Sequence, residues 1–100
     1  MSTQSILFKT GPIVATPGAI LAMERNQTSA ITYLSRHLIG DWGELGHHDQ
    51  EANQEALATG GRIFSAYLLP DETKLWVITD AEIDAHGHRY ATTLLLPEEY

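Results

Sequence analysis

The sequence predicts an α+β fold: three short N-terminal helices packed on a mainly antiparallel β-sheet of three to five strands, in a single domain over residues 1–100. Three observations lead there. Up to residue 59 apolar side chains recur at helical spacing, whereas beyond Gly60-Gly61 the chain turns to β-branched and aromatic runs with a period of two. The links between those runs suit antiparallel pairing, because a parallel crossover needs about a dozen residues or more and only residues 80–89 approach that length. Finally, 43% apolar and 19% charged residues make a globular composition, and a chain of 100 residues buries roughly 60 to 65% of its unfolded surface, enough for one core.

The elements follow in chain order. Ser5 to Phe8 and Ile13 to Ala15 are short apolar runs around Lys9-Thr10-Gly11-Pro12, suited to a sheet edge or a packed lead-in. Thr16-Pro17-Gly18 marks a helix start, since a threonine oxygen can accept from the free amides of the first turn and proline is tolerated there. The first helix should run from Ala19 to Arg25 with Ile20, Leu21 and Met23 inward, ending at Asn26-Gln27. Thr28 caps a second over 29–38, with Ile31, Leu34, Leu38 and the flanking Tyr33 on its apolar side. Gly40 stops it. His37, in its last turn, is expected as a surface or dipole-stabilising imidazole.

The stretch Gly40-Asp41-Trp42-Gly43-Glu44 holds a tryptophan between two glycines and two carboxylates. Its glycines permit a corner, and Trp42 is expected to plug the core there. A third helix through Glu51 to Thr59 should follow, with Asp49 as cap or first-turn acid and Ala52, Ala56 and Leu57 as its apolar stripe, up to the Gly60-Gly61 stop. Residues 62–69 and 74–79 read as a hairpin joined by Pro70-Asp71-Glu72-Thr73, and residues 90–96 as a third long strand. On the first of these, Ile63, Ser65 and Tyr67 oppose Phe64, Ala66 and Leu68, and at least the second set is a candidate core face.

Composition bounds the function. Six basic against thirteen acidic residues give a net charge of −7, which argues against direct nucleic-acid binding because phosphate contacts are made by Lys and Arg. The absence of cysteine removes disulfides, thiolate metal sites and cysteine nucleophiles together. No run reaches the ~18 apolar residues of a membrane helix, and the N-terminus lacks a signal-peptide pattern. The expectation is therefore a cytoplasmic protein that does not engage a membrane.

Ile13-Val14-Ala15-Thr16-Pro17-Gly18-Ala19, then Arg36-His37 followed by Gly40-Asp41-Trp42-Gly43, then Thr92-Thr93 followed by Leu95-Leu96-Pro97-Glu98-Glu99-Tyr100, recur in that order in a group of small proteins that the chain resembles over roughly residues 11–100. These are carried by plasmids, integrative elements and phages of proteobacteria, under the labels plasmid-related protein or type I restriction subunit M. The resemblance implies a mobile-element origin and carries no mechanism. A modification subunit would need a large doubly wound domain with a glycine-rich cofactor loop and an Asn-Pro-Pro-aromatic motif. Neither motif is present, so the second label is rejected. His86-Gly87-His88 lies in a loop longer than the group's pattern.

Three chemistries compete. His47, His48, Asp49, His86 and His88 are suitable metal-ligand types, but no His-Glu-x-x-His or Cys/His spacing supports a site, so neither metal nor cofactor is expected. Asp41 and Glu44 beside Trp42 could serve acid–base catalysis if desolvation raised a carboxyl pKa; no nucleophile elbow or phosphate loop accompanies them. A binding module fits best. Asp41, Glu44, Asp49, Glu51 and Glu55 fall in a stretch without Lys or Arg, and such a field can raise association with a basic protein by up to roughly 10 to 10³ at low salt. The expected function is a small acidic, non-enzymatic accessory protein acting by protein contact, with interference in a host DNA-binding or defence complex as the guess its resemblance suggests. Tyr33, Tyr67, Trp76 and Tyr90 are expected as packing aromatics first and interface groups second. The short N-terminal strands leave an edge at which a second copy could pair.

Overall fold

The computed structural model describes residues 5–100. A short strand β1 (Ile13–Ala15) is followed by helices α1 (Pro17–Arg25), α2 (Ala30–Leu38) and α3 (His47–Thr59), then strands β2 (Ile63–Leu68), β3 (Lys74–Thr79) and β4 (Thr92–Leu95) and a closing 3-10 turn at Pro97–Glu99. The fold is α+β. Among the described residues no helix is long and apolar enough to cross a membrane.

The sheet has the order β1-β4-β3-β2. β2 and β3 form the expected hairpin, with Ser65 opposite Val77, and β3 and β4 are also antiparallel, with Val77 opposite Leu94. β1 differs from expectation: it lies at the edge parallel to β4, with Val14 level with Thr93, so the sheet is mixed. Three helices and a hairpin separate β1 from β4, far more chain than a parallel crossover requires. The helices are therefore inserted within the sheet's connectivity rather than preceding it.

Helix α1 begins as its sequence directs: the Thr16 hydroxyl oxygen accepts from the Ala19 amide at 3.2 Å, with Pro17 in the first turn. Its buried face is Ala19, Ala22 and Met23, while Ile20 and Leu21, expected inside, are exposed. The small side chains let the helix approach β4 closely, and at Gly18 an added Cβ would lie 2.5 Å from the Glu99 carboxylate. That carboxylate accepts from Thr16 Oγ1, from the Gly18 amide at 3.0 Å and from the Leu96 amide at 2.9 Å, tying the C-terminus to the start of α1. These bonds hold Glu99 below the ordinary carboxylate range, the Thr16 hydroxyl first among them.

In α2 the inward residues are Tyr33, Leu34 and His37, and Ile31 is 66% exposed. In α3 Asn53 and Ala56 are buried and Leu57 packs partly buried against the core, so of the expected stripe only Ala52 is exposed, its place taken by Asn53. The reason is polar. Asn53 donates from Nδ2 to the Phe64 carbonyl at 2.7 Å and accepts the Phe64 amide on Oδ1 at 3.1 Å, so its side chain completes the outer edge of β2.

Two apolar clusters result. Ala19, Met23, Leu34, Tyr67, Val77 and Leu94 belong to the first, between α1, α2 and the sheet. Phe8, Trp42, Leu45, Ala56 and Ile63 form the second, under the 40–45 corner and α3. On β2 the buried set is Ile63, Ser65 and Tyr67, while Phe64 and Ala66 on the candidate core face are only partly buried and Leu68 is exposed. Hydrophobicity favoured Phe64, Ala66 and Leu68, but Ser65 and Tyr67 both find hydrogen-bond partners inside, which removes the penalty for burying them. Ser5 to Phe8 is not a strand: it crosses the end of α2, with the Leu7 amide donating to the Leu38 carbonyl at 2.9 Å.

Candidate functional site

The corner at 40–44 is built by α2 running into β2. Arg36, in the last turn of α2, donates to Asp41 from Nε at 2.7 Å and from Nη2 at 3.3 Å, and its guanidinium stacks 4.5 Å from the Tyr67 ring centroid. Asp41 also accepts the Gly43 amide at 3.2 Å, closing the turn on itself. The Arg36 hydrogen bond is the main reason that Asp41 sits below the usual carboxylate range. A general acid needs the opposite shift, so this geometry keeps Asp41 ionised and occupied in the turn.

Backbone bonds anchor the corner to β2. The Ala66 amide donates to the Trp42 carbonyl at 3.1 Å, the Glu44 amide to the Ala66 carbonyl at 2.6 Å, and the Tyr67 hydroxyl to the Asp41 carbonyl at 2.6 Å. Burial pushes the Tyr67 phenol up to about 12, so it remains a donor. Gly40 and Gly43 take positive φ of 88° and 73°. At Gly43 the approach is closer than any other residue allows, since a Cβ would lie 2.1 Å from the Ala66 carbonyl oxygen. Gly43→Ala should lower stability by about 3 kcal/mol, from combined backbone strain and overpacking, read as a fall in the urea midpoint; a midpoint unchanged from wild type would contradict the geometry.

Trp42 is 5% exposed and lies against Phe8, Leu45, Ala56 and Ile63, as a core plug at the corner. The acids beyond it are outside: Glu44, Asp49, Glu51 and Glu55 are all exposed, with Asp49 in the first turn of α3. Asp41 is exposed too, but its charge is matched by Arg36. Glu51 meets His47 at 2.8 Å in an open i,i+4 pair.

Of these acids, Glu44 and Asp49 border the outer face of the sheet. Trp76 stands there, edge-on to Phe64 at 5.0 Å and to Tyr100 at 5.7 Å. A cleft of about 370 Å³ on one side of it is lined by Glu44, Lys74 and Pro97, and one of about 240 Å³ on the other by Asp49, Arg62 and Tyr100. Of the other aromatics, Tyr33 and Tyr67 are buried and Tyr90 is 73% exposed.

The two histidine groups have separate local partners. His88 Nδ1 lies 2.6 Å from Asp84, whose carboxylate also accepts the His86 and His88 amides, while Lys9 donates to the His86 carbonyl. Those bonds, His88 foremost, keep Asp84 low. Among the described residues no three His, Cys, Asp or Glu side chains come together as a metal-binding group.

Sequence reasoning missed the most ordered polar cluster. His37, expected at the surface, is fully buried between Ser65 Oγ at 2.6 Å from Nδ1 and Thr79 Oγ1 at 2.9 Å from Nε2. Thr79 Oγ1 is 2.7 Å from Thr92 Oγ1, and Thr92 donates to the Thr10 carbonyl at 2.9 Å. Since a carbonyl can only accept, the single proton of each hydroxyl fixes the direction. Thr92 donates to Thr10, Thr79 to Thr92, His37 Nε2–H to Thr79, and Ser65 to the bare Nδ1. Burial, then the nearby Arg89 guanidinium, lower the imidazole's pKa to about 4, so it is neutral near pH 7 with its one proton on Nε2. Ser65 and His37 have the hydrogen bond of a nucleophile and its base, yet neither is exposed to any reactant, so the cluster is structural. The signal available was the period itself: His37 lies three residues after Leu34 and four after Tyr33, on their face.

Arg89, placed by sequence in a polar loop, is also buried. It donates through Nη1 to the Gly61 and Asp80 carbonyls at 2.7 and 2.9 Å, and its Nη2 lies 3.6 Å from Glu82. Desolvation lowers its pKa.

No protein-family model, curated protein or solved structure matches the chain.

Proposed function

We propose that this chain is a small non-enzymatic contact protein whose acidic strip docks on a basic protein surface. The carrying observation is where the acids stand that have no Lys or Arg ion pair among the described residues: Glu44 shares a cleft beside the partly exposed Trp76 with Lys74, Asp49 shares one with Arg62, and Glu51 and Glu55 add exposed charge on α3. Carboxylates beside an indole form a receptor for Lys or Arg side chains, which gain from charge and from the aromatic face. Tryptophan flanked by polar groups is also a frequent source of binding energy at interfaces. Asp41 is excluded from this receptor because Arg36 already neutralises it.

The resemblance to mobile-element proteins extends the proposal to the partner's class: a host DNA-binding or defence complex, whose basic face a negative strip would occupy in place of nucleic acid. Affinity capture from host lysate, quantified for wild type and for Glu51→Lys/Glu55→Lys, tests it. Basic proteins should be captured by wild type, released at raised ionic strength and lost with the double reversal. Capture of the same proteins by the reversed chain would remove the acidic strip from the binding mode.

A further inference from the structure

We propose that two copies of the chain join through the free edge of β1, aligning antiparallel about a two-fold axis at Val14. The backbone fixes which groups are free. The Thr92 amide donates to the Pro12 carbonyl at 2.9 Å and the Thr16 amide to the Leu94 carbonyl at 3.0 Å, so the Pro12 carbonyl, both backbone groups of Val14 and the Thr16 N–H turn toward β4. Ile13 and Ala15 therefore present N–H and C=O to the other side, where among the described residues no strand pairs with them. Ile13 and Val14 are about half exposed, at 50% and 49%.

The two ends of the sheet are treated differently. At β2, the opposite edge, Asn53 bonds Phe64 on both backbone groups, and the 42–44 corner bonds Ala66. Open strand edges are ordinarily blunted by such covering, or by charge. β1 has neither. The run from Thr10 to Met23 contains no charged residue in a chain of net charge −7, so it is where two acidic copies can meet with least repulsion. The same run carries the exposed Ile20 and Leu21 on α1.

The occupant and its register follow from the outward groups. In an antiparallel pair, hydrogen-bonded residues exchange both backbone bonds. Centring the pair on Val14 sets Ile13 of each copy opposite Ala15 of the other, so every outward group of the strand is used. A pair centred on Ile13 would require Gly11, which sits at φ 64° outside the strand, and one centred on Ala15 would require Pro17, which has no N–H. A second copy thus matches the edge by symmetry, and the two four-stranded sheets become one continuous sheet.

The register makes the test specific. Val14 would face its own symmetry mate as a non-hydrogen-bonded pair, with Cα atoms about 4.5 Å apart, within disulfide range. The chain has no cysteine, so Val14→Cys introduces the only thiol. Light scattering on the full chain should give twice the 11.1 kDa monomer mass at high micromolar concentration. Val14→Lys should be monomeric with unchanged far-UV circular dichroism, since like charges would face each other. Under mild oxidation Val14→Cys should form a covalent dimer, and Ile31→Cys, exposed on α2, should not. A monomeric wild type up to millimolar concentration, a dimer that survives Val14→Lys, or cross-linking of Val14→Cys no faster than Ile31→Cys would each overturn the proposal; if Val14→Lys fails to fold, the cysteine pair decides. An extended segment of a different protein on this edge would leave the isolated chain monomeric, and so also counts against it.

Discussion

Replacing Trp42 with alanine should cost about 3 to 5 kcal/mol of folding stability, the range for emptying a buried indole site. The indole is 5% exposed and belongs to the cluster of Phe8, Leu45, Ala56 and Ile63, with its ring centroid 6.0 Å from that of His37. Those neighbours come from the N-terminal segment, the corner, α3 and β2. Its own backbone is fastened to β2 by the Ala66 amide, so the surroundings cannot collapse freely into the void. A domain of this size has a total stability of roughly 5 to 15 kcal/mol, so the variant should be near its unfolding threshold. Urea denaturation followed by far-UV circular dichroism reads this directly. A Trp42→Ala protein as stable as wild type but deficient in partner capture would instead make the indole a binding anchor.

The second large effect is a loss of stability on mild acidification. His37 has an ordinary value of 6.5 and a folded value of about 4, so between these the unfolded chain binds a proton that the folded chain refuses. Its contribution is fully present above pH 6.5 and declines as pH falls toward 4, by about 3 kcal/mol over the window. The groups around it reinforce the sign. Ser65 and Thr79 are neutral, Phe8 and Trp42 pack T-shaped against the imidazole, and among the described residues the charge that acts on it is the Arg89 guanidinium, which repels a second cation. Asp41, held low by Arg36, loses its contribution only at more acidic pH, below its ordinary value of 3.8. Stability measured from pH 7 to 4 should therefore fall in wild type. In His37→Leu the same window should be flatter, with a lower plateau by about 2 to 4 kcal/mol because the Ser65 and Thr79 hydroxyls lose a partner. Equal slopes in the two proteins would show that His37 is not the group responsible.

Much of the local structure was legible in the residues. Thr16-Pro17 starts α1, Gly60 closes α3, Pro70–Thr73 joins the hairpin, and the glycines around Trp42 allow its corner; each is a short-range rule about backbone and caps. Exposure of Glu44, Asp49, Glu51 and Glu55 follows as simply, since ionised carboxylates stay in water unless paired. Individual faces were less legible. Ile20, Leu21 and Ile31 are more hydrophobic than the residues buried in their helices, yet Ala19 and Ala22 fit the narrow gap above β4 and His37 fits the hydroxyls of Ser65 and Thr79.

By itself, the sequence determined the α+β class, the approximate elements and an acidic segment from the corner into α3. The tertiary structure alone decided the parallel pairing of β1 with β4, the inward face of β2, the burial of His37 and Arg89, and the neutralisation of Asp41 by Arg36. The division has one physical cause. Caps, turns and hydrophobic periods are settled within a few residues, whereas the side of a strand or helix that turns inward depends on the shape and hydrogen-bond partners supplied by segments far away in the chain.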